Sequence, residues 1–162
     1  MAFPELVAHR GWPRRYPENT LVSIEAAIAA GARYVEVDVQ LTRDLVPVLF
    51  HDENIRRVCG MEGTVSRYTF EELRRFPASE PGRFGTRYAH ERIPALTELT
   101  TLLARHPDVT AFIELKHEAL NSFGVEAVLM RVIRDLESVR AQCALISFSL
   151  EALAPAHAAG WR

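Results

Sequence analysis

The chain has 162 residues, 48% of them hydrophobic, 25% charged and 9% aromatic, which is the balance of one ordinary globular domain. Its 21 acidic residues against 19 Lys+Arg leave a formal charge of −2, so no basic excess marks a nucleic-acid surface. No apolar run nears the roughly 18 residues of a membrane span, and Met1-Ala2-Phe3-Pro4-Glu5 lacks the layout of a secretory signal; a cytoplasmic protein is the expectation. Cys59 and Cys143 lie far apart without metal-ligand spacing and read as reduced thiols.

In chain order, Leu6-Val7-Ala8 is a first candidate strand. A helix follows over Thr20 to Ala30, where Asn19 or Thr20 supplies the N-cap oxygen, Leu21, Ile24, Ala27 and Ile28 form an apolar stripe, and Gly31 sits at the left-handed C-cap. Tyr34 to Gln40 and Val46 to Phe50 are the second and third strands, too close together for a helix, with Thr42-Arg43-Asp44 as a turn: a short hairpin or an extended return. Residues 52–94 carry Gly60, Gly63, Pro77, Pro81, Gly82 and Gly85 and one modest helix from Thr69, so they form a lid or an added subdomain. Thr97 is placed to cap a third helix carrying Leu99, Leu102 and Leu103. Val109 to Leu115 is the fourth strand, Gly124 to Leu136 an amphipathic helix, and Ala144 to Phe148 the fifth strand. Leu150 to Ala159 is a last helix that Pro155 should enter early or break. Strands separated by helices make an α/β fold with a parallel sheet.

The informative residues are charges inside strands. Side chains two apart on a strand share a face, so Glu36 and Asp38 lie together, as do Glu114 and Lys116. An antiparallel edge strand with one wet face would explain the first pair alone. In a helix-covered parallel sheet both pairs face the sheet's interior or rim, where unpaired carboxylates cost several kcal/mol each or take up protons. A bound cation resolves the conflict, and three hard oxygen ligands suit Mg²⁺ or Ca²⁺; a salt-bridge network with Lys116 and Arg10 is the alternative. His9 and His51 each stand just past a strand, at the carboxyl end where α/β chemistry collects. His90, His106, His117 and His157 read as surface residues. Two histidines, three carboxylates, an arginine and a lysine suit phosphoryl chemistry.

These pieces resemble the glycerophosphodiester phosphodiesterase family. They run in order: His9-Arg10-Gly11, Pro17-Glu18-Asn19-Thr20, Glu36-Val37-Asp38-Val39 with Thr42-Arg43-Asp44, Pro47-Val48 into His51-Asp52, Arg92-Ile93-Pro94-Ala95-Leu96, Glu114-Leu115-Lys116 and Ser147-Phe148-Ser149. The resemblance implies a TIM-type barrel of the phospholipase C-like kind, with Glu36, Asp38 and Glu114 as divalent-metal ligands. It makes His9 and His51 the acid–base pair and leaves Arg10 and Lys116 to hold the phosphate. It matches residues 52–94 to a small insertion, and it departs at Leu45, where the family has glycine in the turn. The implied reaction releases sn-glycerol 3-phosphate and an alcohol from a small glycerophosphodiester. The alternatives are phospholipase D-like action on lysophospholipids or sphingomyelin, and an inactive remnant that only binds metal or phosphate. A full barrel takes about 250 residues, so five strand candidates imply a partial barrel of about five of eight strands. Such a chain is a fragment or a truncation, expected to need its missing segment or a second copy in a homo-oligomer.

Overall fold

The computed structural model describes residues 5–162. Five strands form one sheet: β1 (Val7–His9), β2 (Tyr34–Leu41), β3 (Pro47–Leu49), β4 (Thr110–Leu115) and β5 (Cys143–Ile146). The order β1-β2-β4-β5 is parallel throughout, and β3 folds back antiparallel onto the end of β2, pairing Val39 with Leu49. The short return is therefore a hairpin. Its turn is closed by the Thr42 hydroxyl, which donates to Asp44 at 2.6 Å, and by Leu45 at φ 61. A leucine held left-handed costs roughly 1–2 kcal/mol, which is the strain implied by the missing glycine.

The helices are α1 (Leu21–Ala29), α2 (Arg56–Cys59), α3 (Phe70–Leu73), α4 (Pro81–Phe84), α5 (Leu96–Ala104), α6 (His117–Phe123), α7 (Val125–Leu136) and α8 (Leu150–Ala158). Thr20, not Asn19, caps α1, accepting from the Ser23 N–H at 3.3 Å. Thr97 is not a cap: α5 starts at Leu96, because the Glu98 carboxylate reaches back to the Ala95 N–H at 2.8 Å and satisfies the first turn from inside. Pro155 neither starts nor breaks α8. It lies within the helix at an exposed position and lacks the N–H that would bond the Glu151 carbonyl.

One face of the sheet is wholly apolar. Val35, Val37 and Val39 of β2 and Ala111, Ile113 and Leu115 of β4 are at most 1% exposed, packed with Ile24, Leu99, Leu103, Val128, Val132 and Leu136 from the helices. Each such side chain contributes roughly 1.5–3 kcal/mol on burial, so this face fixes the strand registers and sends the alternate residues to the other side. The hairpin splits the same way: Leu49 joins this core, whereas Val48 and Phe50 enter a second one with Ile55, Val58, Val65, Leu73 and Ile93. Residues 52–94 thus have a core of their own on the far face of β3. Four of the exposed apolar side chains lie at the outer strands, Leu6 and Val7 at the start of β1 and Phe148 and Leu150 after β5. Cys59 and Cys143 are free and buried, their thiols pushed up to about 12 by burial.

Candidate active site

Alternation along β2 places Glu36, Asp38 and Gln40 on the face opposite the valines, and all three are buried. The register sets Asp38 beside Glu114 of β4 and Glu36 beside His9 of β1. Glu36, Asp38 and Glu114 each offer a carboxylate oxygen within 4.8 Å of the others. Two buried oxygens of this group, Glu36 Oε1 and Asp38 Oδ1, accept no hydrogen bond. Burial, then the charge of Asp38, pushes the Glu36 carboxyl up to about 7, and the Arg10 backbone N–H opposes the rise.

The β1–α1 loop supplies one cation, Arg10, and one amide, Asn19. Arg10 sits at φ 57 and its N–H donates back to Glu36, 2.9 Å to the carbonyl and 3.1 Å to Oε2. Gly11, at φ 87, permits the tight approach to α1: a Cβ there would lie 2.5 Å from Ser23 Oγ and 2.7 Å from its backbone carbon. The Arg10 guanidinium then pairs with Asp38 at 3.0 Å and Glu18 at 3.1 Å. Asn19, at φ 54, donates its carboxamide N–H to Asp38 at 2.8 Å and accepts the Asp38 backbone N–H at 3.2 Å. Across the sheet, Lys116 Nζ lies 3.0 Å from Glu114 and 3.5 Å from Asp38. Burial lowers its pKa, and the hydrogen bond it donates to Glu114 together with the Asp38 charge raises it, the net direction being up. His9 Nε2 is 3.7 Å from Glu36, and the ring is largely exposed.

His51 follows β3 and belongs to a neighbouring group with Glu18 and Asp52. Its Nδ1 lies 2.7 Å from Asp52 Oδ1. Gln40 fixes this segment, its amide donating to the Asp52 carbonyl at 2.6 Å and the His51 carbonyl at 3.0 Å. Arg57 of α2 bonds both Asp52 and Glu18. Burial works against ionised Asp52, but hydrogen bonds from Arg57 and His51 hold its carboxyl down to about 2. Glu18 is likewise lowered, against burial, by Arg57 and Arg10. The fold therefore gathers Glu36, Asp38, Glu114, Arg10, Lys116 and His9 around one point and sets His51 in the adjoining group, linked through Glu18 and Arg10. His90, His117 and His157 are exposed and His106 is half-buried, all outside both groups.

Gln40, Arg57 and Glu80 carry no site signal in the sequence, and Asn19 reads there only as a candidate helix cap. Glu18 stands in the Pro17-Glu18-Asn19-Thr20 motif without a role of its own, and the contacts of Arg57 and Glu80 span dozens of residues, beyond any local signal.

The donor set fits a hard divalent cation: carboxylate oxygens only, converging, with two buried acceptors that take no hydrogen bond. Flanking cations suit an anionic phosphoryl group.

Residues 9–154 match the model of the glycerophosphoryl diester phosphodiesterase family. A glycerophosphodiester phosphodiesterase of Caldanaerobacter subterraneus is 37% identical over 130 residues, covering 80% of this chain and 52% of the relative. Glycerophosphodiester phosphodiesterase 1 of Mus musculus is 39% identical over 113 residues, 70% of this chain and 34% of its own length. Among solved structures, a phosphodiesterase of Oleispira antarctica in complex with the product sn-glycerol-3-phosphate superposes with a TM-score of 0.84 at 31% identity, over 96% of this chain and 62% of that one. A glycerophosphoryl diester phosphodiesterase of Silicibacter pomeroyi gives 0.83 at 26% identity, over 95% and 61%. The chain spans about half the length of the curated bacterial relative and about three fifths of these solved chains, and the sheet is correspondingly a partial TIM-type barrel. By family model, by identity and by fold, the chain belongs to the glycerophosphoryl diester phosphodiesterase family.

Proposed function

We propose that this chain carries the metal- and phosphate-binding part of a hydrolase that splits glycerophosphodiesters into sn-glycerol 3-phosphate and an alcohol. The observation that carries the reading is the pair of orphaned carboxylate oxygens in the Glu36–Asp38–Glu114 group, flanked by Arg10 and Lys116. Family membership and the product named in the Oleispira structure supply the substrate class.

Glu36, Asp38 and Glu114 would hold Mg²⁺ or Ca²⁺, which when bound supplies positive charge that draws electron density from the phosphoryl group. Arg10 and Lys116 hold the non-bridging oxygens and stabilise charge that grows in the transition state. His51, with Nδ1 tied to Asp52, presents Nε2 as a proton carrier. His9 is the second carrier. One imidazole takes a proton from the attacking oxygen, that of water or of the substrate's own neighbouring hydroxyl, and the other gives a proton to the alkoxide as its P–O bond breaks; in the second case water then opens the cyclic phosphate.

The test is release of glycerol 3-phosphate from glycerophosphocholine, with lysophosphatidylcholine alongside. Product from the first with Mg²⁺ or Ca²⁺, lost on chelation and in Asp38→Asn, supports the reading. Product from the lysolipid alone would move the activity to phospholipase D-like chemistry, and no product from either at high enzyme concentration contradicts hydrolysis by this chain.

A further inference from the structure

Arg57 stands outside the carboxylate cluster, yet its guanidinium uses four of its five N–H donors on two carboxylates. One edge grips Asp52, Nε to Oδ2 at 2.7 Å and Nη2 to Oδ1 at 2.9 Å. The other grips Glu18, Nη1 to Oε2 at 2.9 Å and Nη2 to Oε1 at 2.7 Å. Each carboxylate in turn holds a residue of the candidate site. Asp52 bonds His51 Nδ1 at 2.7 Å, and Glu18 bonds the Arg10 guanidinium at 3.1 Å. We propose that Arg57 is a positioning residue, whose double fork locks the His51 imidazole and the Arg10 guanidinium into one fixed mutual geometry.

The inference rests on the reading of His51 as a proton carrier given above. Its physical basis is that Glu18 and Asp52 carry like charges within 4.8 Å of one another and separate unless a cation lies between them. A planar guanidinium bonds both in fixed directions, which a lysine ammonium cannot reproduce. The framework around Arg57 is rigid. Its neighbours Ile55, Val58 and Cys59 are buried in the second core, and the nine-tenths-buried Glu18 is held from behind by Glu80, which accepts the Glu18 N–H at 2.7 Å. Glu80 is itself 1% exposed, at φ 44, and bonds Arg83 at 2.6 Å. Residues 52–94 therefore do more than cover the hairpin: they deliver Arg57 to the gap between β3 and the β1–α1 loop.

The test compares Arg57→Lys and Arg57→Gln with the unaltered chain. It reads the His51 ring by ¹⁵N NMR and kcat and KM on glycerophosphocholine. The expected result is one His51 tautomer, protonated at Nδ1, in the unaltered chain and exchange between tautomers in both variants. The kcat is expected to fall roughly 10²-fold in both, the order of loss for a group misplaced by about 1 Å. Lysine should restore neither, because its charge without the fork does not fix the direction of the two carboxylates. A role confined to tying residues 52–94 to the sheet would lower Tm and leave the His51 shifts and kcat of the folded variants unchanged, and that result overturns the proposal. Should both variants fail to fold, Glu18→Gln loosens the grip from the side that has no hydrogen bond to His51. Exchange of the His51 tautomers there supports the proposal, and an unaltered ring overturns it. An unaltered chain that turns over no diester but shows the expected tautomer change contradicts the hydrolase reading while supporting the grip. An active chain with indifferent Arg57 variants overturns the grip alone.

Discussion

Asp38 and Glu114 are register partners on adjacent parallel strands, and one ammonium, Lys116 Nζ, reaches both, at 3.5 and 3.0 Å. With Glu36 the group carries three carboxylates against Lys116 and an Arg10 that is shared with Glu18. The imbalance predicts stabilisation by divalent cations. At a free concentration of about 100 times Kd the linkage is worth about 2.7 kcal/mol, several degrees of Tm for a chain of this size. Thermal scans with Mg²⁺ or Ca²⁺ should show this rise, and Asp38→Asn should abolish it. An equal rise in the variant would place the cation elsewhere.

Glu36 gives the metal-free protein a distinctive pH dependence. Its carboxyl is raised from 4.5 to about 7 in the fold, chiefly by burial and then by Asp38. A group whose folded pKa is raised contributes stability that is complete below the unfolded value and is lost as pH rises through the folded one. Metal-free protein should therefore lose stability between about pH 4.5 and 7, on the order of 3 kcal/mol for this group. Glu36→Gln should flatten that interval and be the more stable chain at pH 8. Denaturant titrations across pH check both, and a stability that climbs from pH 5 to 8 without metal contradicts the assignment.

Asn19 serves Asp38 twice, through its side chain and by tolerating φ 54. The two contributions are separable. Asn19→Gly keeps the backbone freedom and removes both hydrogen bonds to a buried acid, a loss of about 1.5–3 kcal/mol. Asn19→Ala should lose a further 1 kcal/mol or so from the left-handed backbone. Urea unfolding of the two variants measures the difference, and an alanine variant as stable as the glycine one would show that the backbone is not held there.

The strand faces were legible in the sequence because a period of two leaves no choice: once the valines of β2 are buried, Glu36, Asp38 and Gln40 must share the other side. The Leu45 strain was legible as well, from a residue standing where a left-handed turn wants glycine. The Arg57 links were not, because Glu18 and Arg57 lie 39 residues apart and α2 is a single turn with no periodic signal. Helix α6 went unseen because His117–Phe123 is only seven residues long. The start of α5 was misplaced at Thr97 because a threonine is a good cap in isolation, whereas Glu98 reaching back to the Ala95 N–H moves the start forward.

Lys116 is the only lysine of the chain, its side chain 11% exposed. The neighbouring carboxylates favour its protonated, non-nucleophilic form. Acetylation with an amine-directed reagent at neutral pH should modify the amino terminus and spare Lys116 until the protein is unfolded. Peptide mass spectrometry reads the two sites separately. Rapid native-state modification of Lys116 would show that its partners leave it free.

Glu36, Asp38 and Glu114 should converge on one bound ion. Crystals grown with Mn²⁺, whose anomalous scattering marks its position, test it most directly. One strong peak bonded to an oxygen of each of the three carboxylates is expected, absent in crystals of Asp38→Asn. A peak held by Glu18 and Asp52 instead, or no ordered ion at saturating Mn²⁺, would contradict it.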